Sequence, residues 1–189
     1  PSQPGLRLQK KLEENLSQLS SVTRLSTEVT SFQADHTGWL QSVQTDKLRI
    51  PGKRFLLATG QWIGRGLFVT PELSPKERIF GLPLQLPSSY TKDASDLFFE
   101  LHTPCCFLDV RKKHPFFSLG LTVDERWRPL DQGRQPVFFN LLAAGSIVSN
   151  LPQQLPPSSS TAHLYQQGYE AANTAVNDLR KKKKNEETT

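Results

Sequence analysis

The sequence contains no methionine, and its only two cysteines are the neighbours Cys105 and Cys106. Two adjacent thiols are too few for a zinc or iron–sulfur site and are poorly placed for an ordinary disulfide bond. We therefore interpret both as reduced thiols with a packing role. Because position 1 is a proline, we expect the sequence to begin inside a longer chain or after processing.

Long apolar runs are also missing. No stretch approaches the roughly 18 residues that cross a bilayer, and the first residues lack the charged-then-apolar order of a signal peptide, so the predicted location is the cytoplasm. The net charge of +5 does not indicate a nucleic-acid-binding face, because the run Arg180–Lys184 alone carries five positive charges. With 189 residues, 36% of them hydrophobic, the chain is long enough for one core of ordinary size.

Two short apolar runs that end on small residues stand out. The first, Arg54–Gly60, follows a Pro-Gly turn and ends in Ala-Thr-Gly, and the second, Phe138–Ser146, ends in Ala-Ala-Gly-Ser. Each predicts a buried strand. Small residues at a strand end allow the backbone to approach a bound ligand closely.

In this order, the two runs resemble the last two flavin-facing strands of the two-dinucleotide-binding-domain flavoproteins, which include succinate dehydrogenase and fumarate reductase. The segment Leu119–Pro129 is similar to Phe-Gly-Val-Thr-Thr-Asp-Glu-Thr-Leu-Arg-Pro in the B-type subunit family of anaerobic glycerol-3-phosphate dehydrogenases. The resemblance spans nearly the whole chain, because further matches fall at corresponding places: Pro4–Gln9, Gly66-Leu67 and Ile79–Leu82.

The resemblance implies an α/β fold that forms the C-terminal part of such a flavoprotein, with a parallel sheet, a small antiparallel β-meander and an inserted irregular α+β cap segment. Residues 1–66 and 119–182 would belong to the flavin domain, residues 67–118 to the cap, and residues 183–189 to a polar tail. The residues themselves also predict the meander, because Thr and Val alternate with polar residues over residues 21–50.

Helical periodicity marks both ends of the chain. Pro4–Leu19 predicts an amphipathic helix whose leucine stripe packs into the core, with binding to a partner as the alternative, and Thr161–Leu179 predicts a second helix. We interpret Ser158–Ser160 as the N-cap of the second helix, whose free N–H groups suit an anion. The Arg180–Lys184 run would end that helix, where cations meet the negative end of its dipole.

The resemblance implies FMN as cofactor, with FAD as the alternative. The predicted cofactor contacts lie at the two strand ends, in the Leu119–Pro129 segment and at the helix start: Ala58, Thr59, Gly60, Gly120, Ala144, Gly145, Ser146, Ser158, Ser159 and Ser160. The Gly64-x-Gly66 pair lacks the full dinucleotide-binding pattern, so the main phosphate site is expected upstream. Asp124 and Glu125 fit a solvated turn and a loop at the flavin edge equally well.

By resemblance, the protein would oxidise sn-glycerol 3-phosphate to dihydroxyacetone phosphate and pass electrons toward quinone, together with other dehydrogenase subunits that hold it at the inner face of the membrane. Cationic candidates for a phosphorylated substrate are Arg78, Lys92, Arg111, Lys112, Lys113 and His114. No His, Cys or carboxylate has a catalytic spacing, so no general base and no metal ligand is assigned. The alternative is a non-catalytic structural or interaction fragment, or one half of a split flavoprotein.

Overall fold

A computed structural model describes residues 3–62, 64–72, 74–85, 119–149 and 157–187. Within these ranges, two helices and seven short strands follow one another: α1 (Gln3–Ser17), β1 (Val29–Ala34), β2 (Leu40–Thr45), β3 (Arg49–Pro51), β4 (Phe55–Leu57), β5 (Leu67–Val69), β6 (Pro75–Glu77), β7 (Leu141–Ala143) and α2 (Pro157–Glu187). The architecture is mixed α/β with small sheets. Most of the predicted cap, including both cysteines and His114, lies outside the described residues.

The predicted meander is confirmed. Strands β1, β2 and β3 form an antiparallel sheet in that order. At the β1–β2 turn, Asp35 Oδ1 accepts the N–H groups of Thr37 and Trp39, and its other oxygen accepts a hydrogen bond from the Gln41 amide. His36 in this turn is exposed. The carboxylate therefore supplies the acceptors that this turn needs.

The two apolar runs, Arg54–Gly60 and Phe138–Ser146, form one pair of parallel strands, β4 with β7, as the resemblance implies. Phe55 pairs with Leu141 and Leu57 with Ala143, and the N–H of Ala144 continues the ladder to the carbonyl of Leu57 at 3.0 Å. All three β7 residues are buried, because strands of a parallel sheet are normally covered on both faces.

Around this pair lies a core of leucines and aromatic rings. The rings of Phe32, Phe80 and Phe138 meet with centroids 5.1–5.9 Å apart, which joins the meander to the segment before β7. Asn140, 1% exposed, adds a polar link: its side chain accepts the N–H of Leu40 and donates to the Leu40 carbonyl, both at 2.8 Å. The Asn140 amide thus supplies hydrogen-bond partners for the backbone at the start of β2.

The prediction that the leucine stripe of α1 packs into the core is wrong. The five leucines of the predicted stripe, the last of which lies just beyond the end of α1, are all 42–52% exposed: Leu6, Leu8, Leu12, Leu16 and Leu19. The amphipathic pattern correctly predicts the helix, but periodicity does not say which surface covers the apolar face.

Helix α2 continues through the Lys run to Glu187, so the prediction that the run ends the helix is wrong. The helix packs against β7 with a largely polar face: Gln167 is 3% exposed and Ala171 is fully buried, while Tyr165 and Tyr169 are 52% and 70% exposed. At the far end of this face, Asp178 pairs with Arg126 and, at 3.5 Å, with Arg54. Neither α1 nor α2 has a stretch apolar enough to traverse a bilayer, within the parts that the structure describes.

We expect Asn140→Ala to lower the free energy of unfolding by about 2–3 kcal/mol, because it leaves the buried N–H and C=O of Leu40 without partners. Urea unfolding of the 189-residue chain measures this as a lower midpoint at an unchanged slope. Asn177→Ala, on the exposed face of α2, is the matched control. Equal midpoints for the two variants would contradict the structural role of Asn140.

A second expectation concerns Asp35, whose pKa is lowered to about 2, first by the hydrogen bond from the Thr37 hydroxyl and then by the Trp39 N–H. A lowered pKa means that the folded state prefers the carboxylate, so its contribution is complete above about pH 4 and is lost as the pH falls through about 2. Asp35→Asn should therefore be less stable than the parent at neutral pH, with the gap closing below pH 4 in urea melts. A gap that stays constant with pH would exclude this linkage.

Candidate functional site

The two strand ends that the sequence analysis paired lie side by side. Beyond β4 and β7 the chain turns at Gly60 and Gly145, with φ of +72° and +84°, a backbone conformation that favours glycine. A Cβ on Gly60 would lie 3.3 Å from Ser146 Oγ. The structure thus brings together six predicted contact residues: Ala58, Thr59, Gly60, Ala144, Gly145 and Ser146.

Few described residues surround the Gly145 turn. Apart from Gly145 and its two chain neighbours, no described residue has an atom within 4 Å of the position that a Cβ would occupy at Gly145. In contrast, a Cβ on Gly64 or Gly66 would collide with the carbonyl oxygens of Thr59 and Gly60. The loop after β4 is therefore folded back on its own strand end, whereas the described part of the chain leaves space beside Gly145 at the end of β7.

An apolar groove of about 240 Å³ follows β4 toward the same end, lined by Val29, Val43, Phe55, Leu56, Leu57, Ala58, Thr59, Ile79, Phe80 and Leu141. Side chains of consecutive strand residues point to opposite faces. Because five consecutive residues line it, the groove runs along the edge of the strand. The Thr59 hydroxyl is buried and has no hydrogen-bond partner among the described residues; it lies against Gly66 of the folded-back loop, where a Cβ would come within 2.5 Å of it.

Helix α2 holds the Gly145 turn from its other side. The N–H of Gly145 donates to Gln167 Oε1 at 3.2 Å, and Gln167 Nε2 lies 3.2 Å from His163 Nε2. Neither side chain is among the contacts predicted from the sequence. Their signal is the spacing of four, which places His163 and Gln167 on one face of the helix, but only the packing shows that this face meets β7.

The other four predicted contacts lie elsewhere. Gly120 is buried against the backbone of residues 147–149, where a Cβ would lie 2.5 Å from the Ile147 carbonyl oxygen, so protein backbone fills the space beside it. Ser158–Ser160 fall within the first turn of α2, which begins at Pro157, and not at an N-cap. At 1.5 Å of rise per residue, Ser158 lies roughly 14 Å along the axis from Gln167, so a small anion could not contact both.

Comparison with known proteins supports the resemblance. Over 152 residues, 79% of its length, the chain is 28% identical to the B-type subunit of anaerobic glycerol-3-phosphate dehydrogenase from Vibrio vulnificus strain CMCP6, and equally to that of strain YJ016. The chain is similar to these subunits. It spans about a third of their length (32%). No protein-family model and no solved structure matches it.

The segment Leu119–Pro129, one of those that carry the resemblance, contains a turn organised by Asp124. Its Oδ1 accepts the N–H groups of Arg126 and Arg128, and its Oδ2 pairs with the Arg128 guanidinium at 2.7 Å. The carbonyl of Trp127 then accepts the N–H of Ala143 at 2.8 Å. The turn covers the second edge of β7. Its contacts explain why an aspartate stands at position 124, so no ligand is needed to explain its carboxylate.

The cationic candidates are only partly described. Arg78 pairs with Glu28 at 2.9 Å on the surface, while Lys92, Arg111, Lys112, Lys113 and His114 lie outside the described residues. Arg54 is held by Asp178 and stacks on the Trp39 ring, 5.1 Å from its centroid. Within the described ranges, no group of three or more His, Cys, Asp or Glu side chains is placed to hold a metal ion.

We expect Thr59→Val to leave the 189-residue chain as stable as the parent or more stable by about 1 kcal/mol, because a buried hydroxyl without a partner is costly. The control is Thr27→Val, whose hydroxyl donates to Asp46 at 2.7 Å and which should gain nothing. Urea midpoints distinguish them. A marked loss of stability in Thr59→Val would mean that its hydroxyl has a partner within the protein.

Proposed function

We propose that the chain is a flavin-binding component of a dehydrogenase and supplies the strand-end part of the flavin site. The observation that carries this proposal is the pair of parallel strand ends, which turn at adjacent left-handed glycines and, among the described residues, leave open space at Gly145. Ligands of open α/β sheets lie beyond the carboxyl ends of the strands. A flat ring needs the close backbone approach that glycine allows.

The residues at the site suit such a ring. Ala58, Thr59 and Gly60 would line one side of it and Ala144, Gly145 and Ser146 the other, while the apolar groove keeps water from its edge. A bound flavin would supply the redox chemistry, and the protein the position and the electrostatic surroundings. FMN is the proposed cofactor, with FAD as the alternative. No general base is assigned.

The names of the similar proteins support a more specific proposal. Those subunits belong to an anaerobic glycerol-3-phosphate dehydrogenase, so we propose sn-glycerol 3-phosphate as the substrate and quinone as the destination of the electrons. Other subunits of the complex would be the partners and would hold this one at the inner face of the membrane. The C-terminal part of a two-dinucleotide-binding-domain fold is the architecture that accompanies this function.

A structural or interaction role is the second candidate, and two observations favour it. The leucines of α1 are exposed, and no described strand pairs with the outer edge of β4. Both surfaces are typical of a part that is completed by other polypeptide. The two roles are compatible if the chain is one half of a split flavoprotein.

Binding by the chain alone tests how much of the site it carries. The chain provides one pair of strand ends and one helix start. Its sequence lacks the dinucleotide-binding fingerprint that normally holds the cofactor phosphate. We therefore expect the purified 189-residue chain to be colourless and to bind FMN far below one equivalent in equilibrium dialysis. Stoichiometric flavin on this chain would show that the site is complete within it.

The decisive variant is Gly145→Ala, in a chimera that replaces the matched 152 residues of the CMCP6 protein with this chain. The matched control is Gly81→Ala. Gly81 also has a left-handed φ, +65°, and an open surrounding among the described residues, so backbone strain should cost each variant about 1–2 kcal/mol.

Only Gly145→Ala should also lower the flavin content of the chimera and its glycerol-3-phosphate-dependent dye reduction, by about tenfold, because each 1.4 kcal/mol of lost contact is a factor of ten. If the chimera binds flavin and both variants behave alike, the proposed contact at Gly145 is wrong. If the folded chimera binds no flavin, the structural role is the better explanation.

A further inference from the structure

Gln167 is the polar side chain through which α2 meets the candidate site. It is 3% exposed, and both ends of its amide are used, one by the N–H of Gly145 and the other by the ring of His163. Apolar packing would not require a glutamine here. A buried amide is retained at a helix–strand contact only if its partners are satisfied.

The donor and acceptor roles in this chain of contacts follow from its first member. A backbone N–H can only donate, so Gln167 must turn its oxygen to Gly145 and its NH₂ group to His163. The Nε2 atom of His163 therefore accepts, which leaves the ring proton on Nδ1. The N–H of Gly145 thus determines, through Gln167, the tautomer of His163, which lies one helical turn before Gln167.

We propose that Gln167 is the positioning residue of the strand-end site: it fixes the Gly145 peptide, and through the same amide it holds His163 as the neutral Nδ1–H tautomer. Glycine is the residue with most backbone freedom, so its orientation at Gly145 depends on its hydrogen bonds. Among the described residues, the Gly145 carbonyl accepts the N–H of Val148 and the Gly145 N–H donates to Gln167. The relevance of this tie to a flavin rests on the proposed function.

Two substitutions separate positioning from simple filling of space. Gln167→Glu keeps an acceptor for the Gly145 N–H but has no N–H for His163, so the histidine must place its own proton on Nε2. Gln167→Leu fills a similar volume and serves neither partner. Gln166→Leu is the matched control, because Gln166 is exposed and bonds only to Glu170 among the described residues.

The measurement is NMR of the 189-residue chain at neutral pH, with the His163 ring assigned through His163→Asn. We expect Nδ1–H in the parent and in Gln166→Leu, and a proton on Nε2 in Gln167→Glu. Exchange of the Gly145 amide should be about tenfold faster in Gln167→Leu than in the parent, the size expected for one lost hydrogen bond, and close to the parent rate in Gln167→Glu.

An Nε2–H tautomer in the parent would overturn the proposal, and so would equal amide exchange in all variants. Both readouts are independent of cofactor. In the chimera described above, Gln167→Leu should reduce flavin content while Gln167→Glu largely restores it. If the NMR results hold but flavin content does not change, Gln167 positions Gly145 and the proposed flavin site is wrong.

Discussion

The structure depends on a parallel ladder of three residue pairs, formed between segments that are 86 positions apart in sequence, Phe55 with Leu141 being the first pair. Closing so long a loop is entropically costly, and three pairs do not repay that cost alone. Contacts around β7 supply the rest of the stabilisation that offsets this entropic cost. The Trp127 carbonyl covers its second edge, the Asn140 amide ties its start to β2, and α2 lies against it.

The same ladder explains why the candidate site is where it is. Parallel strands end at the same edge of a sheet, so the chain leaves both strands in one place and must turn there twice. Gly60 and Gly145 make these turns with left-handed backbone. The result is a surface of backbone and small side chains bordered by an apolar groove, which is a suitable shape for a planar ligand.

The sequence predicted this arrangement because its signals are local. An apolar run that stops at Ala-Thr-Gly or Ala-Ala-Gly predicts a strand and its end, and Thr–Val alternation predicts a meander. The packed face of α2 had no such signal, since Gln167 and Asp178 are residue types usually found at the surface; here Gln167 is buried and Asp178 half-buried, each with polar partners. The failure at α1 has the opposite cause: its leucines gave a clear apolar pattern, and no described element covers them.

Helix α1 also differs from the rest of the chain in what maintains its secondary structure. An isolated helix of fifteen residues is marginal in water, because the first turn is costly to nucleate and helices in proteins gain most of their stability from packing. None of the other described elements packs extensively against α1. Its helicity is therefore conditional: in dilute solution this segment should exchange between coil and helix, and a surface that accepts its leucines would fold it on contact.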